Sequence, residues 1–154
     1  MKKKVWANAV WFLFHTLAEK IKPEACTSSK ELSNLYQQIS LICANLPCPD
    51  CQGHAMNYLS RVNVSQVTAT KENLIVFLWQ FHNHVNARTK APFFTRIELD
   101  AKYKLANTPA IIQNFIQIMS STTNNSKLML QAYHRQNFMK KFIEYINTNK
   151  NIFN

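Results

Sequence analysis

Apolar residues recur at steps of three and four along the chain, the spacing of one buried face of an α-helix. Trp6, Val10, Phe14 and Leu17 place a first helix over about Val5 to Ile21, and Pro23 breaks it. Ser28, with Glu31 three residues later, has the form of a capping box for a second helix. The stripe of that helix is Leu32, Leu35, Tyr36, Ile39, Ile42, Cys43 and Leu46, and Pro47 ends it. A third helix begins inside Pro47-Cys48-Pro49-Asp50-Cys51 and continues to about Arg61. Proline loses no needed N–H in a first turn, and aspartate suits the positive end of the helix dipole. Thr70 caps a fourth helix carrying Leu74, Phe77, Leu78, Phe81 and Val85. A loop over Lys90 to Phe94 then leads, from Thr95, into a short fifth helix ending near Leu105.

The last third has a different texture. Ala110 to Met119 reads as an apolar helix, Ser120 to Ser126 as a polar linker, and Lys127 to Asn147 as an amphipathic helix. Its apolar positions are Leu128, Tyr133, Phe138, Phe142 and Tyr145. The tail, Asn147 to Asn154, is expected to fray. No internal repeat is evident.

Composition sharpens this all-α reading. Gly53 is the single glycine of 154 residues. One glycine cannot supply the hairpin turns of an all-β fold, nor the glycine-rich phosphate loops of Rossmann and P-loop proteins. The net charge is +10, but apart from a basic tip at Lys2 to Lys4 the cations are scattered rather than striped. A basic nucleic-acid-binding protein is therefore an alternative without support from pattern. A dinucleotide with two phosphates would also welcome such charge. The apolar run from Val5 to Leu17 is too short to span a bilayer, and Asn8 and His15 interrupt it. It also lacks a small-residue cleavage site, so a soluble protein without signal peptide is expected.

Three local constellations could carry chemistry. Cys48-Pro-Asp-Cys51 sits at a helix start, where the dipole and free N–H groups favour a thiolate and lower its pKa. The spacing permits a redox disulfide. It also permits a zinc-stabilised helical module, with Cys43, Cys48, Cys51 and His54 as candidate ligands. Against zinc, Cys43 lies on the apolar stripe of the second helix. Trp11 and His15 lie one helical turn apart; taken alone, they suit a core tryptophan and a satisfied histidine. His82 and Asn86 share a face of the fourth helix, with Asn83 at its edge. Polar groups beside so apolar a stripe need a polar ligand or each other.

Taken together, Trp11-x-x-x-His15, Cys48-x-x-Cys51-x-x-His54 and His82-Asn83-x-Val85-Asn86 resemble, in order, the signatures of the Erv/ALR family of FAD-linked sulfhydryl oxidases. Lys90-Ala91-Pro92-Phe93 resembles the family's basic-proline-aromatic element, and Tyr103 its downstream tyrosine. The resemblance runs from Trp6 to Tyr103, roughly two-thirds of the chain. It implies a four-helix bundle plus a short fifth helix, holding FAD at the bundle mouth. It implies Cys48 and Cys51 as the catalytic pair, with Cys51 against the flavin and Cys48 facing solvent. Trp11, His15, His54, His82, Asn83, Val85, Asn86, Lys90, Phe93 and Tyr103 would bind the cofactor, and no metal is called for. Electrons would pass from substrate protein thiols, as in a thioredoxin-like or CxxC protein, to FAD and then to O2, giving H2O2. A homodimer is expected, because the family usually forms one.

The chain departs from the family pattern in places. Ala7 and Asn8 stand where many members carry Gly-Arg, Leu46-Pro47 replaces a tyrosine-proline, and Ala91 looks inserted. Contacts to the FAD phosphates or adenine could differ accordingly. No second CxxC exists to act as an internal shuttle, so substrate would reach Cys48 directly. Cys26 and Cys43 either pair or remain free thiols. Residues 1–105 would form the oxidase domain and 106–154 a helical extension, which either covers the bundle, extends a dimer interface or docks a partner. The short cysteine motif and the lysine- and asparagine-rich composition resemble members encoded by large DNA viruses. For such a protein the host cytoplasm or virion would be the location.

Overall fold

The computed structural model describes residues 1–121 and 125–154. Helix α1, Lys3–Lys20, buries Trp6, Val10, Leu13, Phe14 and Leu17 on a single stripe. A short 3-10 turn over Pro23–Cys26 leads to α2, Ser29–Ala44. Every member of the α2 stripe is buried, from Leu32 to Cys43, and Leu46 just beyond the helix is buried as well. Ser28 takes the N-cap backbone conformation, but its side chain makes no capping bond, so the expected capping box is absent. Glu31 instead lies within electrostatic reach of Tyr145, far along the chain, and one of its oxygens is buried without a partner.

Helix α3, Pro49–Leu59, starts with proline in its first turn and stops two residues before the expected Arg61. A four-residue helix, α4 (Val64–Val67), follows; no stripe announces so short a turn. Thr70 caps α5, Lys71–Thr89, through its hydroxyl and the Asn73 N–H at 3.0 Å. Helix α5 ends at Lys90, whose φ of 61° lies in the left-handed region and lets its N–H reach Asn86 O. Helix α6, Arg96–Lys104, carries a capping box of its own, made by Thr95 and Glu98.

Helices α1, α2, α3 and α5 form the bundle, and α6 crosses the end of α1. Aromatic rings tie it together. Trp11 of α1 meets Phe81 of α5 edge-on, Tyr36 of α2 packs on Phe77, and Tyr58 of α3 stacks on Phe81 with centroids 4.6 Å apart.

The last third is not an appendage. Helix α7, Thr108–Met119, lies along α1, and α8, Met129–Asn149, is entered through a 3-10 turn at Ser126–Leu128. Phe115, Met119 and Phe142 are fully buried and belong to the same apolar cluster as Leu13 and Leu35. The expected polar linker falls partly on residues 122–124, outside the described residues. The frayed tail is overturned. A final turn, Lys150–Ile152, brings Phe153 into an isolated antiparallel bridge with Ile21. Lys22 N donates to Ile152 O at 2.7 Å, Asn154 N to Lys20 O at 2.8 Å, and the Thr108 hydroxyl to Asn154 O at 2.6 Å. The buried Phe153 ring and these bonds fix residues whose composition reads as solvated. Among the described residues, no helix is long and apolar enough to cross a membrane.

Candidate active site

Cys48 is the N-cap of α3, and its Sγ accepts the Cys51 N–H at 3.3 Å. The two sulfurs are thereby held at one helix start, Cys48 half-buried and Cys51 buried. Both are free thiols here, as are Cys26, near Lys22 and Lys71, and Cys43, near Tyr36. The dipole argument alone predicts a lowered thiol pKa, and for Cys51 the structure corrects it. Burial, and then the adjoining Cys48 thiol, push Cys51 up to about 11; Lys3 and Arg88 pull the other way. Cys43 is pushed up to about 12 by burial alone.

Cys51 opens onto a cavity of about 500 Å³ enclosed by α1, α3, α5 and the segment around α4. Of the sequence-predicted residues, Trp11, His54 and Val85 share its wall with Cys51. Trp6, Phe14, Tyr58, Phe77 and Phe81 add aromatic rings to it. Three cations also line it, Lys3, Arg61 and Arg88, and no Asp or Glu does. The cations were not legible in the sequence, because they come from α1, the turn after α3 and α5, and share no spacing.

The other predicted residues form a second cluster, joined to the cavity through Trp11. The indole stacks on His82 with centroids 4.2 Å apart and planes within 5°. His15 Nε2 and His82 Nδ1 lie 2.9 Å apart, so one ring nitrogen donates and the other accepts. Burial, then the neighbouring His82, then Lys102 hold His15 down at about 3; burial and then Lys102 hold His82 at about 4. Both rings are therefore neutral at pH 7. Tyr103, buried, lies against His15 with ring centroids 4.9 Å apart. Lys102 spans the edge of the cluster, its Nζ 4.3 Å from the Phe12 ring centre.

Asn83 and Asn86 face the loop before α6. Asn83 donates from Nδ2 to Phe94 O at 2.9 Å and accepts the Phe94 N–H at 2.8 Å, while Asn86 Nδ2 donates to Asn83 Oδ1 at 3.4 Å. Trp79 Nε1 donates to the same Phe94 carbonyl at 2.7 Å. Lys90 is exposed, and Phe93 is 64% exposed with its ring edge-on to Trp79. Neither reaches the cavity wall. Among the described residues no three His, Cys, Asp or Glu side chains converge as metal ligands, so Cys43, Cys48, Cys51 and His54 do not form a zinc set.

The sequence profile of the Erv1/Alr family matches residues 8–104. A protein of Invertebrate iridescent virus 3, described as a "putative FAD-linked sulfhydryl oxidase", is 31% identical over 103 residues, which make up 66% of this chain and 68% of that protein. No solved structure matches the chain. Its bundle, its cysteine pair and a family match that takes in Cys48, Cys51 and the His15–His82 cluster lead to one assignment: the chain belongs to the Erv1/Alr family.

Proposed function

We propose that the protein is a FAD-dependent sulfhydryl oxidase that makes disulfide bonds in substrate proteins through Cys48 and Cys51. The observation that carries this reading is the placement of Cys51, paired with Cys48 at a helix start and exposed on its inner side to the cavity. The cavity's residues suit FAD. Aromatic and aliphatic walls match a flat tricyclic ring, and three cations without a carboxylate match a diphosphate. Trp11, His54 and Val85 would hold the cofactor from the cavity wall, with the His15–His82 pair and Asn86 beyond it.

The protein's own steps follow from sulfur exchange. A substrate thiolate attacks Cys48 Sγ and breaks the Cys48–Cys51 bond, which leaves a mixed disulfide and a free Cys51 sulfur. A second substrate thiolate attacks the substrate sulfur of that mixed disulfide. The substrate leaves oxidised, and Cys48 and Cys51 hold the electron pair as a dithiol. Half-burial suits Cys48 to meet substrate, and burial keeps Cys51 for the cavity side. FAD, when bound, would supply the two-electron acceptor by which the Cys48–Cys51 disulfide is restored, with O2 as the final acceptor and H2O2 as the product.

The visible absorption spectrum of the purified protein tests the reading. A flavin band that bleaches with a dithiol without oxygen and returns in air supports it. A protein that stays colourless after refolding with added FAD would overturn it.

A further inference from the structure

Gly53 is the one glycine of the chain, and neither backbone nor packing asks for it. It lies in the interior of α3, the helix that Cys48 caps, between Cys51 and His54. Its φ is not positive, so no left-handed turn calls for glycine. Among the described residues, a β-carbon added there would meet nothing within 4 Å beyond its own helix backbone. Glycine meanwhile weakens a helix interior, because it loses the most backbone freedom on folding. A residue that costs stability, answers no packing need and stands beside the paired cysteines points to a molecule that approaches the backbone from outside.

We propose that Gly53 is a specificity-determining residue of the thiol-oxidase reaction, keeping a strip of α3 bare so that an extended segment of substrate polypeptide can lie across it and reach Cys48. The proposal rests on the function proposed above and adds where the substrate chain runs. Pro49, Gly53 and Met56 follow one another at steps of four and three, which sets them on one face of α3. All three are exposed, whereas Cys51, Ala55 and Leu59 turn a different face to the core. The strip is thus apolar at both ends and bare in the middle, a saddle with backbone as its floor. Cys48, half-buried, stands at its near end, just before Pro49. At 1.5 Å of rise per residue, Gly53 is about 7–8 Å further along the helix axis, or roughly two to three residues of extended chain. A peptide whose cysteine meets Cys48 Sγ can therefore set its backbone down over Gly53. A side chain at that position would lift the segment off the helix. A small thiol, which does not extend that far, would pass unhindered.

The test compares a peptide with a small molecule at the same sulfur. In the Cys51→Ser protein, the Cys48 thiolate attacks a peptide cysteine presented as its thionitrobenzoate disulfide. A Cys48–peptide disulfide forms and thionitrobenzoate leaves. Cysteamine carrying the same leaving group is the small probe, and mass spectrometry reads the product at Cys48 in both cases. Gly53→Leu should slow the peptide reaction several-fold and leave the rate of the small probe in place. Gly53→Ala should slow the peptide less, and should raise the melting temperature by about 2–3 °C. Gln80→Leu, which puts a leucine on an exposed site of α5, should change neither rate. In the flavin-loaded protein with both cysteines, Gly53→Leu should raise KM for a reduced, unfolded protein and leave dithiothreitol turnover unchanged. An unchanged peptide rate in Gly53→Leu, equal slowing of both probes, or equal slowing by Gln80→Leu overturns the proposal. The exchange needs no flavin, so a colourless protein would count against the oxidase reading while the two exchange rates still decide this one.

Discussion

Lowering the pH from 7 to 5 should remove on the order of 4 kcal/mol of folding stability through His15 and His82. Both are held neutral in the fold, at about 3 and about 4, while an unfolded histidine titrates near 6.5. Between those values the unfolded chain binds protons that the folded one refuses. Their contribution is therefore fully present above about pH 6.5 and is lost as the pH falls toward about 4. At pH 5 each unfolded ring has gained about 1.5 pH units of protonation free energy, at roughly 1.4 kcal/mol per unit, or about 2 kcal/mol per residue. Carboxylates still carry their charge over most of that window, so the histidines dominate it; His54, His84 and His134 are exposed. The loss is large against the roughly 5–15 kcal/mol that a domain of this kind commands. Urea unfolding of the cofactor-free protein at the two pH values would measure it. His15→Gln/His82→Gln should be less stable at pH 7 but should lose most of the pH dependence. Equal losses in the parent and the double variant would refute the reasoning.

Phe153→Ala should cost about 2–4 kcal/mol, since the ring is buried against the end of α1; an unchanged denaturation midpoint would restore a frayed tail. Asn83→Ala should cost about 1–3 kcal/mol, because the Phe94 N–H loses its acceptor, and faster proteolysis between Thr89 and Thr95 would show the loop released. Lys90→Gly should raise stability by up to about 1 kcal/mol by relieving a left-handed lysine, and a concurrent fall in flavin content would assign Lys90 a cofactor contact as well. Cys51→Ser should abolish thiol oxidation while retaining bound flavin, measured by oxygen uptake and by the visible spectrum. Loss of the flavin band would make Cys51 a structural residue instead.

What could be read before the fold was known divides along a physical line. The stripes of α1, α2 and α5 were legible because burial on one helix face imposes a period on the sequence itself, and Leu32 to Leu46 all lie inside as that period requires. Local chemistry was legible where nothing distant competes. Thr70 caps its helix, but Ser28-x-x-Glu31 does not close, and Glu31 lies instead within electrostatic reach of Tyr145 of α8. The tail was misread for the same reason. Its asparagines and lysines look solvated, yet Phe153 meets Ile21 from the far end of the chain. The site repeats the pattern. The cysteine pair announces itself by spacing, whereas the cations of the cavity wall, Lys3, Arg61 and Arg88, share that wall with Cys51 only once the helices have packed. A helix-start cysteine read in isolation should ionise easily; placed in this bundle, it is hindered by its own burial. The motif thus brings the two sulfurs together, and the tertiary fold decides how deeply Cys51 is buried.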